Sequence, residues 1–210
     1  MPQKIIPLVC DELYHVFNRG VDKREIFLDK EDYLRFYQIL HLFNSVEAVI
    51  NFDSAKVKAK KRDDVVEKLV EIKAYSLLPN HYHLILKQEV DGGISEFMRR
   101  ISLGYTSYFN QKMERIGSLF QGNFKRVLIT SDEQLNYLFA YVNENHFVHN
   151  LILDREICHS SSLHFQSLVT SKLIKRNNEG YKYNFTENII LAKEIYEKRK
   201  SIKANKELFE

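Results

Sequence analysis

His81 and His83 stand one residue apart at the head of an apolar, β-rich run. In an extended strand, side chains two residues apart project to the same face. Both imidazoles then share one side, and Tyr82, Leu84 and Leu86 take the other. Two neutral imidazoles one pleat apart can hold a divalent ion. A pair of solvated or hydrogen-bonded strand histidines has the same spacing, so the pair alone leaves both readings open. Tyr141 and Asn145 form a second set. They lie four residues apart in a segment of helical periodicity and project from one helix face. A carboxamide oxygen suits a hard cation, and a phenol is a nucleophile once activated. The chain has 12 tyrosines, and core packing competes as the role of Tyr141 and of Tyr137, one turn earlier. The third feature is a basic and aromatic stretch. Between residues 95 and 130, Arg99, Arg100, Lys112, Arg115, Lys125 and Arg126 outnumber Glu96 and Glu114, with Tyr105, Tyr108 and Phe109 interleaved. Cations on phosphates and rings under bases hold single-stranded nucleic acid. Rings at helical spacing also pack inward, and that is the reading favoured for these three.

These residues need elements to position them. Residues 14–18 read as a short aromatic and β-branched strand that ends at Arg19-Gly20. Asp29 is a candidate N-cap for a helix over 29–44, with Tyr33, Phe36, Tyr37, Leu40 and Phe43 at three- and four-residue spacing. Residues 54–64 carry charge without a core face and read as an exposed insertion leading into a short helix at 64–70. Strands follow at 72–78 and 82–87, joined at Pro79-Asn80. A helix covers 94–114, a loop 117–122 and a strand 124–129. Ser131 or Asp132 caps the next helix, which runs to about residue 145. The order β-α-β-β-α-β-α is that of an α+β fold with a ferredoxin-like split βαβ core, an antiparallel sheet packed by helices. Beyond about residue 151 come a loop and a helical tail, with an amphipathic pattern over 186–208.

Composition removes several classes. With 210 residues and 44% hydrophobic residues, the chain can bury a sizeable core. Seven Gly and three Pro exclude collagen-like and Pro-rich architectures. Two cysteines, Cys10 and Cys158, give neither a disulfide framework nor a cysteine zinc site. The early apolar run at 5–10 is broken by Pro7 and is too short for a signal peptide or membrane span. A cytoplasmic, nucleoid-associated protein without a membrane partner is the expectation. The formal net charge is +3, and the excess sits in the last forty residues, which suits an anionic partner.

Taken together, these segments resemble the single-tyrosine transposases of the HUH class, most closely the REP-associated tyrosine transposases. The resemblance is carried by YHVFNRG at 14–20, IFLDKEDYLRF at 26–36 and YSLLPNHYHLIL at 75–86. It continues in GSLFQGNFKRVLI at 117–129 and YLFAYVNENHFVHNLI at 137–152. It implies a catalytic domain over 1–165 and a basic helical tail over 166–210. It implies a metal-dependent strand transferase that cleaves and rejoins single-stranded DNA near hairpins through a 5′-phosphotyrosine. By position, His81 and His83 match the metal-binding histidines, Asn145 the third ligand and Tyr141 the nucleophile, with Mg²⁺ or Mn²⁺ as cofactor. Arg19, Arg99, Arg100, Lys125 and Arg126 are the candidate DNA-binding residues. Single-stranded or hairpin DNA is the implied partner, and a homodimer is compatible with the pattern. Three departures stand out: His146 replaces the usual Pro after Asn145, Asn123 replaces an Arg after Gly122, and the 53–70 insertion is long. The alternative is a domesticated hairpin-binding protein that does not cut.

Overall fold

The computed structural model describes residues 7–49, 51–61, 66–148, 159–166, 173 and 185–207. Strand β1 (Leu13–Arg19) is followed by a 3-10 turn and helix α1 (Lys30–Leu42). Asp29 caps α1, its carboxylate accepting from the Asp32 amide at 3.1 Å, which satisfies one of the amides a helix start leaves without a partner. Helix α2 (Phe52–Lys61) precedes strands β2 (Val70–Leu78) and β3 (His81–Gln88). Helix α3 (Gly93–Lys112), strand β4 (Lys125–Leu128) and helix α4 (Asp132–Asn143) complete the core. Ser131 is the cap of α4, accepting from the Gln134 amide. Two short helices, α5 (Asn145–Val148) and α6 (Ser162–Phe165), and a longer one, α7 (Phe185–Glu207), follow.

The four strands form one sheet in the order β2-β3-β1-β4, every neighbouring pair antiparallel. This is the split βαβ arrangement expected from the element order. One face carries Tyr14, Val16, Tyr82, Leu84 and Leu86, buried against Phe36, Leu40, Phe97, Ile101 and Tyr105 of α1 and α3. Gly104 lets α3 come close to α1, because a Cβ there would strike the Phe43 ring. The register of β2 shifts between Ile72 and Ala74. That irregularity reverses the alternation, so Val70 and Ile72 before it and Tyr75 and Leu77 after it all reach the same core. The opposite face is covered only in part. Ala74, Ile85 and Ile129 meet Leu138, Phe139, Tyr141 and Val142 of α4 there, and a cleft opens beside them at the Phe17, Arg19 and His81 end of that face.

Two expectations change. The charged 54–64 segment is not an irregular insertion: most of it is α2, with Ala55 buried against the main core. Phe52 at the start of the helix packs against the same core, and the remaining, charged positions face water. No helix forms over 66–69, where the chain runs irregularly into β2. The loop expected from residue 151 lies outside the described residues. Of the tail, α7 packs against α4 and α5, with Ala192 fully buried.

Candidate active site

The open end of the second sheet face is a cleft of about 710 Å³ between the strands and α4. Antiparallel register brings its floor together. Arg19 pairs with His81, Phe17 with both His83 and Lys125, and His15 with Val127. All of these side chains share one parity and so one face. The loop residues Lys23, Asn80 and Gln121 form the rim, with Gln134, Tyr137, Leu138 and Tyr141 of α4 as the wall. Arg19, Lys23 and Lys125 are cationic, and among the described residues no carboxylate lines the cleft.

The two histidine rings stand 5.1 Å apart, nearly perpendicular. Each has its Nδ1 engaged. His81 Nδ1 lies 2.6 Å from Asn80 Oδ1, an acceptor, so Nδ1 carries the proton and Nε2 the lone pair. His83 Nδ1 lies 2.9 Å from His15 Nε2. In the tautomer where His83 donates to His15, Nε2 again carries the lone pair. Fixing one ring nitrogen so that the other can bind a cation is how proteins prepare histidine ligands. The pair therefore fits a divalent ion as two imidazole donors. Among the described residues no group of three His, Cys, Asp or Glu side chains converges on such a site. Asn145 lies past the end of α4, fully buried, and is not among the cleft-lining residues. Its amide nitrogen and oxygen have no hydrogen-bond partner among the described residues. An unsatisfied buried carboxamide costs about 1–3 kcal/mol, which leaves Asn145 a further candidate donor.

Tyr141 is almost buried, and its ring stands edge-on to His83 with centroids 5.3 Å apart. It also meets His15 edge-on at 6.4 Å. Tyr137 lines the same cleft but makes no ring contact with either histidine among the described residues. The helix containing Tyr141 ends at Asn143, with Glu144 as its C-cap. The simple four-residue spacing to Asn145 therefore crosses a helix end rather than following one face.

The five candidate DNA-binding residues do not share a surface. Arg19 and Lys125 lie in the cleft. Arg126 shares the sheet face of Leu128, away from the histidines. Arg99 is on the outer side of α3, chelating Glu96 at 2.7 and 2.8 Å. Arg100, expected on the DNA-facing surface, is buried, with its guanidinium on Glu96 at 2.6 Å and on the carbonyls of Ser45 and Glu47 at 2.7 and 2.9 Å. These bonds tie α3 to the chain after α1. Hydrogen bonding by Arg99 first, and then by Arg100, holds the Glu96 carboxyl down to about 2. A depressed carboxylate stabilises the fold above its unfolded pKa, and that contribution fades as pH falls from about 4.5 towards 2. Glu96→Gln should lower stability by about 1–3 kcal/mol at pH 7. In thermal melts the gap from wild type should narrow progressively below pH 4.5. A gap independent of pH would assign the loss to packing instead.

Sequence reasoning missed His15 and gave Asn80 only a turn role. His15 sits in the first strand with the right parity. Its diagonal contact with His83, 68 residues away, depends on a strand pairing that local sequence does not contain.

An antiparallel split βαβ sheet packed by helices places a strand histidine pair opposite a helix-borne tyrosine. The family model for "Transposase IS200 like" matches residues 33–145, more than half of the chain and all four of His81, His83, Tyr141 and Asn145. The chain belongs to this transposase family. No curated protein matches the sequence. Among solved structures, it is similar to a REP-associated tyrosine transposase bound to a REP hairpin. That match has 16% identity and a TM-score of 0.54, covering 89% of this chain and 96% of that one. A candidate transposase from Deinococcus radiodurans aligns at 13% identity and a TM-score of 0.38, over 73% of this chain and 98% of that one. At these identities the likeness is one of fold.

Proposed function

We propose that the protein cleaves and rejoins single-stranded DNA near hairpins, with Tyr141 as nucleophile and a divalent metal, Mg²⁺ or Mn²⁺, as cofactor. The observation that carries this reading is the edge contact of Tyr141 on His83 inside a cationic cleft. The Tyr141 hydroxyl oxygen attacks a backbone phosphorus. The bond from phosphorus to the 3′ oxygen breaks, leaving a free 3′-hydroxyl that takes up a proton and a DNA 5′ end esterified to the tyrosine. One phosphodiester is exchanged for another, so rejoining by a 3′-hydroxyl needs no nucleotide cofactor. His81 and His83, with Asn145 as the further candidate donor, would hold the divalent ion, which would supply Lewis-acid polarisation of the scissile phosphate. Asn80 and His15 orient the two imidazoles. Arg19, Lys23 and Lys125 hold backbone phosphates, and the half-exposed Phe17 on the cleft floor offers a ring for base stacking.

The reading is tested by incubating the protein with a labelled single-stranded hairpin oligonucleotide and Mg²⁺ or Mn²⁺. A covalent protein–DNA adduct is the expected product. Tight binding with no adduct under any metal would favour the non-cutting hairpin binder instead.

His15→Gln should lower metal affinity and cleavage by roughly 10–100-fold, the usual cost of losing a partner behind a metal-binding histidine. Isothermal titration with Mn²⁺ and adduct yield would measure both, and unchanged values would remove His15 from the site. Lys125→Ala should weaken DNA binding and flatten the plot of log K against log salt by about one unit. Arg100→Ala should instead lower the melting temperature and leave that slope unchanged. The reverse pattern would move the DNA to α3.

A further inference from the structure

We propose that Ser160, Ser161 and Ser162 form a clip that sets the position of Tyr141 against His83, acting through Asn143 and Glu144 at the end of α4. The inference rests on the reading of Tyr141 as nucleophile.

The clip begins on the sheet. Residues 159–161 run along the outer edge of β2. The Leu77 amide donates to the His159 carbonyl at 2.7 Å, and the Ser161 amide donates to the Tyr75 carbonyl at 3.0 Å. The next residue on β2, Ser76, is the register partner of His83 on β3. The segment is therefore tied directly beside the histidine strand.

From there it reaches α4. Ser161 Oγ accepts from the Tyr75 amide at 2.9 Å and donates to Asn143 Oδ1 at 2.5 Å. Ser160 Oγ donates to the Asn143 carbonyl at 2.8 Å, one of the carbonyls that a helix end leaves without a partner. Ser162 Oγ donates to Glu144 Oε1 at 3.0 Å. Asn143 closes its own side by donating to the Phe139 carbonyl at 2.9 Å. Asn143, Glu144 and the three serines are all at most 1% exposed.

A buried polar network in this place is informative. Apolar contacts between a helix and a sheet tolerate small slides and rotations, whereas hydrogen bonds are directional and costly to break when buried. Asn143 lies two residues after Tyr141, about 200° around the helix. Bonds that fix Asn143 to the edge of β2 therefore fix the rotation that presents Tyr141 to His83 on the other side. Ser160, Ser161 and Asn143 are positioning residues: none of them lines the cleft. The clip couples the histidine strand to the helix that carries Tyr141.

The test uses the full chain and Ser161→Ala. Single-turnover adduct formation at saturating hairpin DNA with Mn²⁺ should slow by about 10-fold or more, because a misplacement near 1 Å can cost about 10² in rate. DNA affinity should stay within twofold of wild type. Ile39→Val, in the core on the opposite sheet face, is the control for general destabilisation. If Ser161→Ala slows the reaction no more than Ile39→Val, measured at equal distance below each melting temperature, the clip is only structural and the proposal falls. Should Ser161→Ala fail to fold, Ser160→Ala takes its place: it removes the bond to the Asn143 carbonyl and the one from the Ser162 amide. A second measurement does not need activity: the ring-proton NMR shifts of His83, against which Tyr141 stands edge-on. They should move in the serine variant and not in Ile39→Val, and unchanged shifts overturn the proposal. A wild-type protein that forms no adduct would defeat the nucleophile assignment, and the His83 shifts would still decide the clip.

Discussion

Tyr141→Phe should abolish the covalent DNA adduct while leaving fold and DNA affinity nearly intact. The substitution removes one oxygen and keeps the ring, so the packing of Tyr141 with Ala74, Ile85 and Leu138 and its edge contact with His83 survive. Loss of one hydroxyl should cost about 1 kcal/mol of stability. Loss of the attacking atom should cost about 10⁴-fold or more in rate, the scale seen when a covalent nucleophile is deleted. The matching variant, Tyr137→Phe, should form the adduct normally, because Tyr137 lines the cleft but does not meet the histidines. Mass spectrometry of the trapped species is the direct readout. An adduct on Tyr137, or one that persists in Tyr141→Phe, would overturn the assignment.

His81→Ala and His83→Ala should each reduce cleavage by about 10²–10³-fold, the usual scale for removing one stabiliser of transition-state charge. DNA affinity should change little, since in the proposed reading phosphate contacts from Arg19, Lys23 and Lys125 supply most of it. Chelation of divalent ions should reproduce the same split in wild-type protein, and added Mn²⁺ should restore the rate. The two variants should differ in stability. His83 is buried and joined to His15, so its loss opens a gap in the sheet face, whereas loss of the more exposed His81 frees the Asn80 carboxamide oxygen. A variant that keeps full cleavage, or that loses DNA binding in proportion to activity, would show that the histidines hold DNA rather than a metal.

Sequence alone determined the core of this protein to a large degree. Strand alternation around His81-Tyr82-His83 and helical spacing in α1, α3 and α4 are local properties, set by backbone geometry within a few residues. The caps at Asp29 and Ser131 are equally local. From these follow the element order, the α+β class and the shared face of the two histidines. The motif order then carried the family resemblance, which the family match bears out. What tertiary structure decided is non-local. The contact of His15 with His83 needs the β1–β3 register. The withdrawal of Arg100 needs the chain after α1 to fold back over α3, since an arginine on a helix shows nothing in sequence of the carbonyls waiting for it. The charged α2 docks through Phe52 and Ala55 at its start, too short an apolar signal to stand out from the charge run. The end of α4 at Asn143, which separates Tyr141 from Asn145, is hydrogen-bonded by serines 17 and 18 residues further on. Local periodicity reports which face a residue takes, but only the assembled chain supplies the partners, and buried polar groups take their roles from those partners.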